Sequence, residues 1–245
     1  MIPWSLLDTA KVPDGFGDLR LMRRGDEFSI MSGATELMNS RLSGSEQALA
    51  TLVCARLGSR RAPRLLIGGL GMGFTLRAAL GALGADAGVV VVELVPAVVA
   101  WARGPMAALF GASLTDPRVT LVEDDVSAAI RSGRAAYDAI LLDVDNGPGG
   151  LMRAANDGLY DAAGLQAARA ALRPGGLLAV WSSAPDRDFT QRLRRAGFQV
   201  DEVKTRANGK GGGARHVIWI ATAPVGGPRP MPRPLARRAG HARPS

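Results

Sequence analysis

Residues 64–80 read RLLIGGLGMGFTLRAAL: a short apolar run, then Gly68, Gly69, Gly71 and Gly73, then a stretch with helical spacing. An apolar run that passes through a glycine-rich turn into a helix opens a βα unit. Gly69, Gly71 and Gly73 form G-x-G-x-G. That is not the G-x-G-x-x-G of a dinucleotide site, and no Lys-Ser/Thr pair follows, so the loop is not a triphosphate cradle either. Two readings remain: a tight strand-to-helix turn, or a backbone approached closely by a flat-lying ligand such as a nucleoside with a short tail.

The same alternation continues downstream. Apolar strands are predicted at 64–67, 88–93, 119–122, 139–143 and 176–181, with helices at 73–83, 96–109, 125–131, 161–172 and 187–196. Short apolar strands alternating with helices predict an α/β fold, a mostly parallel sheet covered by helices on both faces. FQVDEVKTRANGKGGGARHVIWIAT (198–222) predicts a C-terminal antiparallel hairpin at one edge of that sheet. Upstream, DLRLMRRGDEFSIMS (18–32) predicts a small β element of two strands turning at Gly25-Asp26. SGSEQALATLVCARLG (43–58) carries a capping-box pattern from Ser43 to Glu46, with Leu49, Leu52, Val53 and Leu57 on one helical face and a stop at Gly58. The chain therefore divides into 1–60, the small N-terminal β element and first helix; 61–224, a nucleoside-binding α/β domain; and 225–245, a basic tail.

At 245 residues and 47% hydrophobic content the chain can bury a sizeable core. No apolar run reaches the roughly 18 residues of a membrane span, and MIPWSLLDTAK lacks the basic start and apolar centre of a signal peptide, so a cytoplasmic protein is expected. Cys54, the single cysteine, admits no internal disulfide and reads as a core residue; with only His216 and His241 beside it, no metal site is expected. The net charge is +8, but much of the excess lies in GGPRPMPRPLARRAGHARPS (226–245), where Arg229, Arg233, Arg237, Arg238 and Arg243 face no acid. Such proline- and arginine-rich composition reads as a disordered tail. In KTRANGKGGGARH (204–216) no aromatic residue interleaves Lys204, Arg206, Lys210 and Arg215, so nucleic acid is not an expected partner.

Ligands of such sheets bind at the carboxyl ends of the strands, where the strand order reverses. VVVVE (89–93) ends in Glu93, twenty residues after Gly73, where a carboxylate can accept hydrogen bonds from both hydroxyls of a ribose. VEDDV (122–126) offers Asp124 or Asp125 to an adenine amino group; either can instead cap the following helix. YDAILLDVDNGP (137–148) places Asp143 and Asp145 at the end of the fourth strand. Beside a nucleoside, two carboxylates suit a cationic or amine substrate, one of them positioning the nitrogen and taking its proton; an Asx turn without chemistry is the alternative. Asn156 and Tyr160 are candidates for a lid, and Tyr160 equally for packing.

LLIGGLGMG, VVVVEL, VEDDV and YDAILLDVDNGP together look like the site of a Rossmann-like class I S-adenosylmethionine-dependent methyltransferase fold. Following a small β element and SGSEQALATLVC, they resemble the spermidine synthase (polyamine aminopropyltransferase) family over about residues 18–222. The resemblance implies that Gly69, Gly71 and Gly73 line the methionine-derived tail of decarboxylated S-adenosylmethionine or S-adenosylmethionine, a co-substrate, with no metal. It further implies Glu93 on the ribose, Asp125 at the adenine, Asp143 activating the attacking amine, Asp145 near a second acid, and a homodimer. Ile67 stands where methyltransferases usually carry an acid. The family's glycine loop contains an aspartate, which GGLGMG lacks, and of the acids that open its first helix only Glu46 is present. Three functions follow: aminopropyl transfer to a small-molecule amine held by Asp143 with Asp145 or Glu36, methyl transfer on the same scaffold, or nucleoside binding without turnover.

Overall fold

The computed structural model describes residues 2–13, 17–144, 147–148, 158–208 and 212–226. Four antiparallel strands come first: β1 (Ser5–Lys11), β2 (Asp18–Arg24), β3 (Glu27–Ser32) and β4 (Thr35–Asn39), paired in that order. The predicted hairpin is β2–β3, with Arg24 opposite Glu27 across Gly25-Asp26 and Gly25 at φ 60°. The two outer strands were not anticipated. β1 is exposed along nearly its whole length, so backbone pairing to β2 holds it and no inward-facing alternation marks it in the sequence.

Helix α1 (Gly44–Leu57) follows, burying Leu49, Val53, Cys54 and Leu57. The capping box does not form. Gln47 Nε2 donates to Ser43 Oγ at 2.8 Å, and the Glu46 carboxylate accepts from the Ser45 hydroxyl at 2.7 Å instead of from the Ser43 amide.

The alternating part then runs β5 (Arg64–Gly68), α2 (Phe74–Ala82), β6 (Gly88–Glu93), α3 (Pro96–Arg103), α4 (Ala107–Phe110), β7 (Val119–Glu123), α5 (Val126–Ser132), β8 (Tyr137–Leu142), α6 (Ala162–Ala171), β9 (Leu172–Ser182), α7 (Arg187–Arg195), β10 (Gln199–Arg206) and β11 (Arg215–Thr222). The single helix expected over 96–109 is two, because Gly104 and Pro105 interrupt it: proline supplies no amide to continue the ladder.

Seven strands form one sheet in the order β10-β11-β9-β8-β5-β6-β7. β5 through β9 are parallel; β11 runs antiparallel to β9, with β10 as the outer strand of the hairpin. Alternate residues feed two cores. Leu65, Ile67, Val91, Leu141 and Ile220 join the side chains of α1 to α3, while Leu66, Val92, Ile140, Leu142 and Trp219 join those of α5 to α7. Leu21 and Ile30 of the N-terminal sheet belong to the first of these cores. The chain leaves β5 toward β6 and β7, then returns to its other side with β8, so the order reverses between β5 and β8. Among the described residues no helix is long and apolar enough to cross a membrane.

Candidate active site

At this reversal the backbones of four strands are tied together just beyond their carboxyl ends. The Asp143 amide donates to Gly68 O at 3.0 Å, Gly69 N to Val92 O at 2.9 Å, and Asp124 N to Glu93 O at 3.0 Å. Glycine is required here by packing against the chain itself. Gly69, Gly71 and Gly73 have φ of 87°, 49° and 75°. A Cβ at Gly69 would strike the Asp143 carbonyl, one at Gly71 the Met38 side chain of β4, and one at Gly73 the Phe110 ring. The N-terminal sheet thus lies over the loop.

Glu93 is buried, 8% exposed, and its oxygens hold the loop. Oε2 accepts from Leu70 N at 2.8 Å and Oε1 from Val95 N at 2.9 Å. Burial raises its pKa, and the surrounding backbone amides oppose that rise. Four backbone amides, those of Val95, Leu70, Gly71 and Leu94, thus converge on this one carboxylate.

Asp125 caps α5, Oδ1 accepting from Ser127 N at 2.8 Å, and Asp124 Oδ1 accepts from the Asp125 amide at 2.7 Å. The capping alternative therefore holds for Asp125, with its second oxygen left for other partners. Asp145 and Asn156 lie outside the described residues. Tyr160 is buried, its ring edge-on to Phe189 at 5.6 Å. Glu36 is engaged within its own sheet: it accepts from Ser29 Oγ at 2.8 Å and Asn39 Nδ2 at 2.6 Å, with Arg41 at 3.6 Å.

Asp143 is the acid that the fold leaves unbalanced. Its Oδ2 accepts from the Thr75 hydroxyl at 2.6 Å. No ion pair among the described residues involves Asp143, Glu46 or Glu93. Loss of solvation, then repulsion from Glu46, pushes its pKa up to about 7, against the Thr75 hydrogen bond. Such a carboxyl exchanges protons near neutrality, as a general base must. At the carboxyl end of β9, the strand paired with β8, a depression of about 520 Å³ is lined by residues 182–188.

Sequence reasoning did not single out Thr75, Ser45 or His216. Thr75 sits in the first turn of α2, where it also approaches Glu46 O at 3.3 Å. Ser45 is fully buried, and its Oγ lies 2.9 Å from His216 Nδ1. Thr75 and Asp143 are 68 residues apart, and Ser45 and His216 are 171 apart. A faint signal existed for Thr75 alone, as a hydroxyl directly after the glycine loop.

No protein-family model matches the sequence, and a search of curated proteins finds no match. Solved structures do. A spermidine synthase in complex with the transition-state analogue AdoDATO superposes with a TM-score of 0.69 at 17% identity, covering 90% of this chain and 73% of that one. A spermidine synthase from Thermotoga maritima gives 0.69 at 16% identity with the same coverage. A probable spermidine synthase from Corynebacterium glutamicum gives 0.59 at 17%, covering 89% and 80%. The chain has a spermidine synthase-like fold, the Rossmann-like arrangement expected from its sequence.

Proposed function

We propose that this chain is a transferase that binds a sulfonium nucleoside, decarboxylated S-adenosylmethionine, and moves its aminopropyl group to an amine. The observation that carries the reading is Asp143: an acid at the strand-order reversal, with no cationic partner among the described residues, poised to titrate near pH 7. The fold supports it, since the solved structures it resembles are spermidine synthases.

In this reading Glu93 takes the ribose hydroxyls, Asp124 or Asp125 the adenine, and the backbone of Gly69, Gly71 and Gly73 the tail. The lone pair of the amine attacks the carbon bonded to sulfur, in line with the leaving sulfur. A C–N bond forms, the C–S bond breaks, and its electrons return to sulfur as a neutral thioether. The proton released from nitrogen passes to Asp143. Asp145, two residues further on in the sequence, is the second candidate acid for the amine. Catalysis is mostly positioning, with the carboxylate removing the proton. Asp143, Glu46 and Glu93, which have no ion pair among the described residues, favour both a sulfonium and an ammonium ligand.

One feature favours a second reading, methyl transfer from S-adenosylmethionine: GGLGMG carries no acid to receive an aminopropyl ammonium group. Calorimetric titration with the two nucleosides decides. The decarboxylated form binds tighter if the group transferred is aminopropyl; tighter binding of S-adenosylmethionine would sink that reading in favour of methyl transfer.

A further inference from the structure

Two side-chain hydrogen bonds in series join the first turn of α1 to the C-terminal hairpin. His216 Nδ1 lies 2.9 Å from Ser45 Oγ, and Ser45 Oγ donates to Glu46 Oε2 at 2.7 Å. Ser45 is fully buried, and the imidazole is half-buried, held edge-on to Trp181 at 4.8 Å. A serine hydroxyl has one hydrogen, and an ionised carboxylate has none to give. Ser45 spends its hydrogen on Glu46, so the ring must donate from Nδ1. The line therefore has one direction: His216 Nδ1–H to Ser45 O, and Ser45 O–H to Glu46.

At the far end of this line lies Glu46, whose charge bears on Asp143. Burial lowers the pKa of His216 and the charge of Glu46 opposes that fall, while at Asp143 the same charge adds to the rise that burial causes; the Glu46 carbonyl is approached by Thr75, whose hydroxyl donates to Asp143. Among the described residues Ser45 is the one hydrogen-bond partner of the ring. Thr205 of β10 lies opposite His216 in the ladder, and Arg215 with its cross-strand partner Arg206 alternates onto the other face of the hairpin.

Resting on the amine-transfer reading above, we infer that His216, acting through Ser45, is a positioning residue for Glu46: it holds that carboxylate beside Asp143 so that the two form the seat for the ammonium end of the acceptor amine. A glutamate in the first turn of a helix has three rotatable bonds and would otherwise sample solvent-directed rotamers. Two bonds in series, the second to an ionised oxygen, select one of them. His216 touches neither substrate nor reacting atoms in this scheme.

The test joins a spectroscopic and a binding measurement. In ¹⁵N-histidine-labelled protein the chain contributes only His216 and His241, and a His241→Gln variant assigns them. His216 is expected in the uncommon Nδ1–H tautomer, reverting to Nε2–H in Ser45→Ala. Calorimetry with 1,4-diaminobutane as the probe is expected to show about tenfold weaker binding in His216→Leu and in Ser45→Ala. His216→Asn, whose amide can donate from nearly the Nδ1 position, should stay within about twofold of wild type. S-adenosylmethionine affinity, measured alongside, stays unchanged in all three and shows that the variants are folded. An Nε2–H tautomer in the wild type, or full diamine affinity in His216→Leu, overturns the inference. A wild type that binds the nucleoside but no diamine overturns the amine seat, and the tautomer still decides the hydrogen-bond line by itself, which separates the two failures.

Discussion

Strand β8 has an aspartate near its start and another directly after its end, and the two are treated in opposite ways. Asp138, at the amino end, is 4% exposed. Its Oδ1 accepts from Arg60 at 2.9 Å, and its Oδ2 from Arg173 at 2.7 Å and from the Arg64 amide at 2.9 Å. Arg60 reaches on to Gly175 O at 2.8 Å, so the cluster pins β5, β8 and β9 to one another. Asp143, directly after the carboxyl end, has a threonine hydroxyl and a like-charged neighbour. Of the two, the acid surrounded by guanidiniums is a structural clamp, and the acid denied them is the one free to exchange a proton. This agrees with the general division of parallel sheets, whose carboxyl ends carry chemistry.

The comparison breaks first on activity. Asp143→Asn is expected to reduce aminopropyl transfer to 1,4-diaminobutane, followed by mass spectrometry of the product, by about 10² to 10⁴-fold, the usual worth of a general base. Asp138→Asn should leave the rate per folded molecule near wild type. Unchanged turnover in Asp143→Asn would remove this acid from the mechanism and leave a nucleoside-binding protein.

Stability should respond in the reverse order. Asp138→Asn removes the one negative charge between two guanidiniums. Because both arginines remain partly in water, the expected loss is about 2 kcal/mol in denaturant unfolding. Asp143→Asn should stabilise, and only at the right pH. Its folded pKa of about 7 lies above the ordinary 3.8. The unfolded chain therefore gives up this proton first as pH rises, and wild-type stability falls between roughly pH 4 and 7 and then levels off. Asparagine does not titrate. Its advantage should grow across that window by about 4 kcal/mol, about 1.4 kcal/mol for each pH unit between the two pKa values, and hold constant above it. An advantage largest at pH 4 would mean that the carboxylate is stabilised, contrary to its surroundings.

How much of this was legible beforehand follows from the range of each interaction. The parallel strands were readable because burial on two faces demands continuous apolar runs such as Leu65-Leu66-Ile67, bounded by turns. Asp143 and Glu93 were readable as acids closing such strands. β1 was not, since an exposed edge strand held by backbone bonds imposes no pattern on side chains. The capping box failed for a local reason: a buried serine at 45 captured Glu46 before it could reach back to the Ser43 amide. The link between Asp143 and Thr75 joins side chains that only the closing of β5 against β8 brings together, and no spacing rule encodes it.

That link supplies the finest test of the contrast between the two aspartates. Thr75 is the one hydrogen-bond donor to the Asp143 side chain among the described residues, and it favours the ionised form, whereas burial and Glu46 favour the protonated one. Thr75→Val removes the donor while keeping shape and β-branching. The pKa of Asp143 must then rise further, so the acidic limb of the kcat/KM profile should move up by about one pH unit. At pH 7 that leaves a smaller ionised fraction and about fivefold lower activity, recovered near pH 9. Thr75→Ser, which restores the hydroxyl, should return the limb to its original position. A limb that stays fixed in Thr75→Val would show that the hydroxyl does not bear on the ionised carboxylate, and the base would then be governed by Glu46 and burial alone. The same substitution should leave Asp138 and its arginines untouched, so any loss of stability common to both pH extremes measures packing at the start of α2 and not the charge.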